Sequence, residues 1–209
     1  MNPPMSIILV RHGETALNAA RVLQPGDTPL SERGLAQAEA VARRLAGGRA
    51  AAILSSDLPR AWLTAEAIGR HTGIGVEASA LLRERNFGSL RGRPYDSLGF
   101  DPLVMAEAPP EGESAADFAH RVRRAFEQML QRRAALDGDL VVVTHGLLIR
   151  VLLADALAVP APTLAALHLG NTSVSIFAAR MPHGLSVLNC TRHLDTAAAS
   201  DDPRGLSGG

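Results

Sequence analysis

The stretch "SIILVRHGETALN", residues 6–18, decides the reading of this chain. Ile7–Val10 is a continuous apolar run, the pattern of a short strand buried on both faces. It runs straight into Arg11-His12-Gly13-Glu14-Thr15. A chain that only had to turn would need the glycine; it would not need a histidine beside an arginine. In open α/β sheets, functional sites form beyond the carboxyl ends of strands, which is where these side chains fall.

The same grammar recurs downstream. "AAILSS" (51–56) reads as a second buried strand and "LVVVTHG" (140–146) as a third. Ser31 is the expected N-cap of a helix through about Ala46, with Leu35, Ala38, Ala42 and Leu45 on its apolar stripe and Gly47-Gly48 as its stop. Residues 19–30 read as loop. Asp57 is the expected cap of a helix with Pro59 in its first turn, ending at Gly73. Residues 76–78 form a candidate short strand, and residues 81–113 read as irregular. Ser114-Ala-Ala-Asp117 resembles a capping box before a long helix with Phe118, Val122, Ala125, Phe126, Met129 and Leu130 on one stripe. An apolar helix, Leu147–Leu157, follows the third strand; "TSVSIFAA" and "LSVLNC" read as two more strands. Strands alternating with helices predict a three-layer α/β/α domain with a mainly parallel sheet over residues 1–195, and the small, polar residues 196–209 read as a disordered tail.

Composition narrows the function. With 46% hydrophobic and 20% charged residues among 209, the chain reads as an ordinary globular protein, and 21 basic residues balance 21 acidic ones. Zero net charge and 3% aromatic residues disfavour nucleic-acid binding. No apolar run approaches the roughly 18 residues of a membrane helix. The lone Cys190 and the absence of a signal-peptide pattern suit the cytoplasm. Every basic residue is arginine, so lysine Schiff-base and P-loop lysine chemistry are excluded. No metal-ligand spacing of the HExxH or Cys/His type occurs. "DGDLV" (137–141) mimics an aspartate-nucleophile signature, but its aspartates precede a strand instead of following one, so it reads as a turn. Cys190 lacks an arginine six residues on, which excludes a thiol phosphatase loop.

Three strand ends thus deliver Arg11-His12, Arg60 and His145-Gly146. An arginine in a helix's first turn is at odds with the helix dipole unless an anion binds there. "LVRHGETALN", "PLSERGLAQA" (29–38), "SSDLPRAWLTA" (55–65), "LRERNFGSLRG" (82–92), "PEGES" (110–114) and "VVVTHG" (141–146) resemble, in order, the histidine phosphatase superfamily, the phosphoglycerate mutase-like proteins.

The resemblance implies a metal-independent phosphomonoester hydrolase without a cofactor, acting through a phosphohistidine on a small phosphorylated metabolite. By it His12 is the nucleophile, Arg11 and Arg60 bind phosphate, His145 assists the transferring group either protonated or as a donor, Asn18 and Gly146 contact the phosphate, and Glu84 is the general acid. Guanidinium suits this task because it can hold two phosphate oxygens at once. Flanking arginines disfavour an imidazolium at His12, and Gly13 permits close backbone approach. Arg21 is a further candidate substrate contact. Read without the family, Glu84 is a surface partner of Arg83 or Arg85, and Asn18 a turn residue. Glu14 reads as a structural acceptor, and His71, His120, His168, His183 and His193 as surface or local structural residues. Arg85, Arg91 and Arg93 belong either to a second anion site or to a solvated loop.

Gln24-Pro25-Gly26-Asp27 is one residue shorter than the family's usual loop, which bears on that loop's substrate contacts and not on the nucleophile, and residues 93–109 leave less room than the insertion of cofactor-dependent mutases. The short chain without lysine favours phosphatase over mutase, with a weakly active protein-binding member as the reading from another class. The substrate and the oligomeric state are not legible.

Overall fold

The computed structural model describes residues 5–194; the expected tail, 196–209, lies outside the described residues. The strands are β1 (Ser6–Arg11), β2 (Ala50–Ser55), β3 (Val76–Ala78), β4 (Asp139–Thr144), β5 (Val174–Ala178) and β6 (Leu185–Cys190). They form one sheet in the order β3-β2-β4-β1-β5-β6. The pairs β2–β3, β2–β4 and β1–β4 are parallel; β1–β5 and β5–β6 are antiparallel. Helices cover both faces, α2 (Glu32–Ala46) and α3 (Pro59–Thr72) on one, α4 (Ala115–Ala134) and α5 (Gly146–Asp155) on the other. The expected three-layer α/β/α architecture is the one observed.

The two faces follow from strand alternation. Ile7 and Leu9 of β1, with Leu140 and Val142 of β4, pack under Phe118, Val122, Ala125 and Met129 of α4 and the leucines of α5. Ile8, Val10, Val141 and Val143 point the other way, against Ala38, Val41 and Leu45 of α2 and Ala61, Ala65 and Ile68 of α3. Each Val, Leu, Ile, Phe or Met among them, fully buried, contributes about 1.5–3 kcal/mol. This two-sided demand is why the strands read as unbroken apolar runs.

One helix end departs from the reading. Leu58, not Asp57, is the N-cap of α3, and no side chain caps it. The Asp57 carboxylate is held instead by the Arg83 guanidinium, with Nε 2.7 Å from Oδ1. A charge-assisted bidentate pair outcompetes a cap for the same carboxylate. Residues 20–30 are loop as expected, and just ahead of them Ala16–Ala19 forms the short helix α1, with Thr15 and Asn18 closing a reciprocal capping box. At α2, Ser31 caps as expected, its side chain accepting from Gly34 N at 3.0 Å. Ser114 does the same for α4, accepting from Asp117 N at 3.0 Å. A sixth helix, α6 (Ala161–Ala166), was not anticipated.

Of the expected stripe of α2, Ala38, Ala42 and Leu45 are buried and Leu35 is not. Leu35 is 48% exposed, whereas Gly34, Gln37, Ala38, Val41 and Leu45 are buried. The cause is a close crossing of backbones: a Cβ on Gly13 would lie 2.5 Å from Gly34 O, and one on Gly34 would lie 2.0 Å from Glu14 O. Gly13 therefore serves a helix packed against the strand end. Gln37 Oε1 accepts from Glu14 N at 2.8 Å, and the Glu14 carboxylate accepts from Ser31 Oγ at 2.8 Å, as its structural reading expected.

Gly34→Ala forces backbone apart on both sides, because neither contact is a flexible side chain. We expect a loss of about 1–3 kcal/mol, the range for overpacking, measured as urea unfolding midpoints. An alanine variant as stable as the wild type contradicts the close crossing.

Candidate active site

The register of β1 against β4 pairs Arg11 with Thr144, and His12 N extends the ladder by donating to Thr144 O at 2.9 Å. On the other side of β4, Ser56 N donates to Val143 O at 3.0 Å. Three adjacent strand ends therefore bring His12, His145 and Ser56 to one edge. The His12 and His145 rings lie 5.1 Å apart, centroid to centroid, and both are buried.

Backbone partners fix the state of each imidazole. His12 Nδ1 is 2.6 Å from Gly13 O, a group that can only accept, so Nδ1 carries the hydrogen and the neutral ring presents its lone pair at Nε2. The His12 carbonyl is itself gripped by Thr172 N and Asn171 Nδ2, each at 3.2 Å. Thr172 pays for this with a left-handed φ of 53°, strained for a β-branched residue. His145 Nε2 lies 2.8 Å from Ser56 Oγ, and that oxygen accepts from Leu58 N. A Ser56 hydroxyl that donates to Nε2 leaves the His145 hydrogen on Nδ1. Nδ1 is buried and has no partner among the described residues. Burial first, then the charges of Arg60, His12 and Arg11, pushes His145 well below its ordinary range, so of the two expected forms it takes the neutral donor.

The cationic wall is buried. Arg11 donates to Leu169 O. Arg60, the second residue of α3, donates to Pro25 O at 3.3 Å, and its Nε has no partner among the described residues. Burial lowers the Arg60 pKa to about 10, against the opposing pull of Glu84, so it remains a cation at neutral pH.

Glu84 faces this wall. Its Oε1 accepts from Arg85 N at 3.1 Å and its Oε2 from Leu147 N, in the first turn of α5, at 3.0 Å. Those bonds and Arg60 favour the carboxylate, yet complete burial outweighs them and raises its pKa. The neutral acid is therefore within reach where a solvent-exposed glutamate would be ionised. Its loop is anchored by Arg121 of α4, which donates to Leu81 O at 2.9 Å and to Glu84 O at 3.2 Å while Glu113 holds the same guanidinium. Nothing in the local sequence marks Arg121 as a support for Glu84, because the contact spans 37 residues. Ser56 was also missed, although its place just past a strand end was a usable signal.

The structure thus brings Arg11, His12, Arg60, Glu84 and His145 together, with Gly146 opening α5 beside them. Asn18 is one step removed: its Oδ1 accepts from Thr15 N at 2.6 Å and its Nδ2 reaches Asn171 Oδ1 at 3.4 Å, linking it to the His12 carbonyl. Arg21 faces Asp96 at 3.7 Å and is exposed, away from the pocket lining. His71 pairs with Glu39, and His183 with Ala178 O, both remote from this edge. Gln24, Arg60, Glu84, Phe87 and Arg91 line the pocket. A groove of about 630 Å³ shares Gly26, Leu58, Glu84 and Arg91 with it and continues along Asn86 and Gly112. Among the described residues, no three His, Cys, Asp or Glu side chains gather as a metal site, and no helix is long and apolar enough to cross a membrane.

Two buried arginines, two buried imidazoles 5.1 Å apart and a carboxyl with raised pKa form a cationic site suited to an anion. Consistent with that, the chain belongs to the histidine phosphatase superfamily (branch 1), whose family model matches residues 7–188. It is 36% identical over 181 residues to a probable phosphoglycerate mutase, GpmB, of Yersinia pestis, covering 82% of this chain and 83% of that protein. Its fold is similar to a mycobacterial glucosyl-3-phosphoglycerate phosphatase, with TM-score 0.76, 31% identity, and 90% and 100% of the two chains covered. It is likewise similar to a phosphoserine phosphatase of Entamoeba histolytica solved with phosphoserine, with TM-score 0.77, 27% identity and 91% and 99% coverage.

An anion that binds the folded site stabilises it by mass action, about 2.7 kcal/mol at a ligand concentration 100 times Kd. Inorganic phosphate is expected to raise the melting temperature of the wild type, and Arg60→Ala to abolish that rise while remaining folded. Equal protection of both proteins would place the anion elsewhere.

Proposed function

We propose that this protein is a metal-independent phosphomonoesterase acting on a small phosphorylated metabolite through a phosphohistidine at His12. The observation that carries the reading is the clamp on His12: Nδ1–H held by Gly13 O, with the Nε2 lone pair beside His145 and the arginines. Phosphoryl transfer needs a positioned nucleophile and stabilisation of the charge on the equatorial oxygens, and His12 with the two arginines is suited to both. The phosphatases among its structural relatives support hydrolysis.

In the first step His12 Nε2 forms a bond to phosphorus as the ester P–O bond breaks. Glu84 gives its proton to the leaving oxygen, while Arg11, Arg60 and the His145 Nδ1–H bear on the transferring oxygens, with Gly146 as a further contact and Asn18 acting through Asn171 on the His12 carbonyl. In the second step water attacks phosphorus, the Glu84 carboxylate takes the water proton, and the N–P bond breaks to release phosphate. The raised Glu84 pKa serves the first step, and the carboxylate it becomes serves the second.

The resemblance to a probable phosphoglycerate mutase keeps a second reading in play, in which the phosphoryl group returns to a bound sugar acid instead of water. The two share the first step and differ in the acceptor.

Phosphate release from a phosphomonoester panel in EDTA is expected for the wild type and not for His12→Ala. Isomerisation of 3-phosphoglycerate exceeding hydrolysis would establish the mutase reading. No turnover of any ester by the folded wild type would leave the protein-binding reading. Because the first step needs protonated Glu84, kcat/KM should fall as pH rises through that raised pKa. Glu84→Gln should remove this limb and cost about 10²–10⁴-fold on alkyl phosphates, and far less on p-nitrophenyl phosphate, whose leaving group needs no proton. An equal loss on both esters contradicts the general-acid role.

A further inference from the structure

The segment 83–93 carries four arginines, and the structure gives them different fates. Arg83 is committed to Asp57. Arg85 is 3% exposed, donates to Glu113 O and Glu107 O at 3.0 and 3.2 Å, and lies over the Phe87 ring. Arg93 lends its carbonyl to Leu23 N, and its side chain lines neither the pocket nor the groove. Arg91 alone of the four lines both the pocket, beside Arg60 and Glu84, and the groove that leads from it. Among the described residues no carboxylate pairs with it, and its side chain is exposed.

The other arginines of the groove are paired. Arg121 is paired with Glu113 and Arg83 with Asp57, while Asp117 has the neutral Ser114 Oγ as its hydrogen-bond donor. Of the three arginines that line the groove, Arg91 is thus the one with no carboxylate partner among the described residues, and it stands at the junction of groove and pocket. Its charge reaches the site, since it is among the groups that disfavour the Arg60 cation.

Its backbone is also held in place. Gly92 N donates to Leu23 O at 2.7 Å, and Leu23 N returns a bond to Arg93 O at 3.0 Å. Ser89 N donates to Pro110 O at 2.9 Å, and Gly88, with φ 49°, sits where a Cβ would lie 2.0 Å from that same carbonyl. A cation on a fixed loop loses less freedom on binding than one on a mobile loop.

The pocket that holds Arg60 and Glu84 opens into the groove at Glu84 and Arg91, a path for the rest of an ester whose phosphoryl group sits on Arg60. We propose that Arg91 binds a second anionic group on the substrate, so that the preferred substrates are phosphomonoesters whose alcohol carries a carboxylate or another phosphate. The assignment rests on the phosphatase reading and adds the substrate class. An arginine fork can take two oxygens of either group, so the chemistry on the page is shared by both.

The test compares kcat/KM for 3-phosphoglycerate, propane-1,3-diol bisphosphate and glycerol 3-phosphate, in wild type, Arg91→Gln and Arg91→Lys. The wild type is expected to prefer at least one charged-tail ester over glycerol 3-phosphate by tenfold or more. Arg91→Gln should collapse that ratio about tenfold, chiefly through KM, and Arg91→Lys should retain part of it. Whichever charged ester loses its advantage identifies the second group as carboxylate or phosphate. Hydrolysis without charged-tail preference, or a ratio unchanged in Arg91→Gln, overturns this assignment and leaves the phosphatase reading intact. No hydrolysis of any of the three esters, nor of p-nitrophenyl phosphate, overturns the phosphatase reading and this assignment with it.

Discussion

The parallel pairing of β1 with β4 is the constraint on which the rest of the site depends. Its register sets Arg11 opposite Thr144, and one further hydrogen bond, His12 N to Thr144 O, carries the alignment past the strand ends. A slip of one residue would turn Ile7 and Leu9 toward α2 and α3 and send His12 to the opposite face. Two buried faces enforce the register, so the energy that holds the core also holds two imidazoles 5.1 Å apart. The close crossing of Gly13 and Gly34 and the double grip on the His12 carbonyl then remove the remaining freedom.

Electrostatics divides the labour within that frame. Burial is the leading influence on Arg60, Glu84 and His145, and in each it works against charge. Only the arginine has an ordinary pKa high enough to stay charged regardless. The site therefore sets cationic guanidiniums beside an imidazole and a carboxyl whose charged forms burial disfavours, an arrangement complementary to an anion. The α5 N-terminus, whose Leu147 N–H binds Glu84, supplies a donor to the carboxylate that forms after proton transfer.

Much of this was legible because it is written in local pattern. The runs at residues 7–10, 51–55 and 140–144 must be apolar on both faces, and chemistry-bearing residues directly after them stand at the sheet edge. His12, Arg60 and His145 were found that way, and Glu84 only through the resemblance of "RERNFG" to the family. What sequence reading missed depends on contacts far along the chain. Asp57 looked like a cap until Arg83 claimed it across 26 residues. Leu35 looked buried because the phase of α2 is set by a glycine meeting the backbone of residue 14. Arg121 and Asn171 reach the site from elements whose sequence shows only amphipathic or turn character. The arginine cluster at 83–93 could not be sorted without knowing which carboxylates and carbonyls lie opposite each side chain.

The central claim is that His12 Nε2 becomes covalently bonded to phosphorus. Its most direct test is to quench wild-type turnover in alkali, where phosphohistidine survives and phosphoserine esters do not account for the label, and to map the phosphoryl group by peptide mass spectrometry. The account predicts one phosphoryl group on the peptide containing His12, forming within a single turnover and missing from His12→Ala. A phosphoryl group found on any other residue, or sustained phosphate release with no phosphoenzyme at His12, would contradict it.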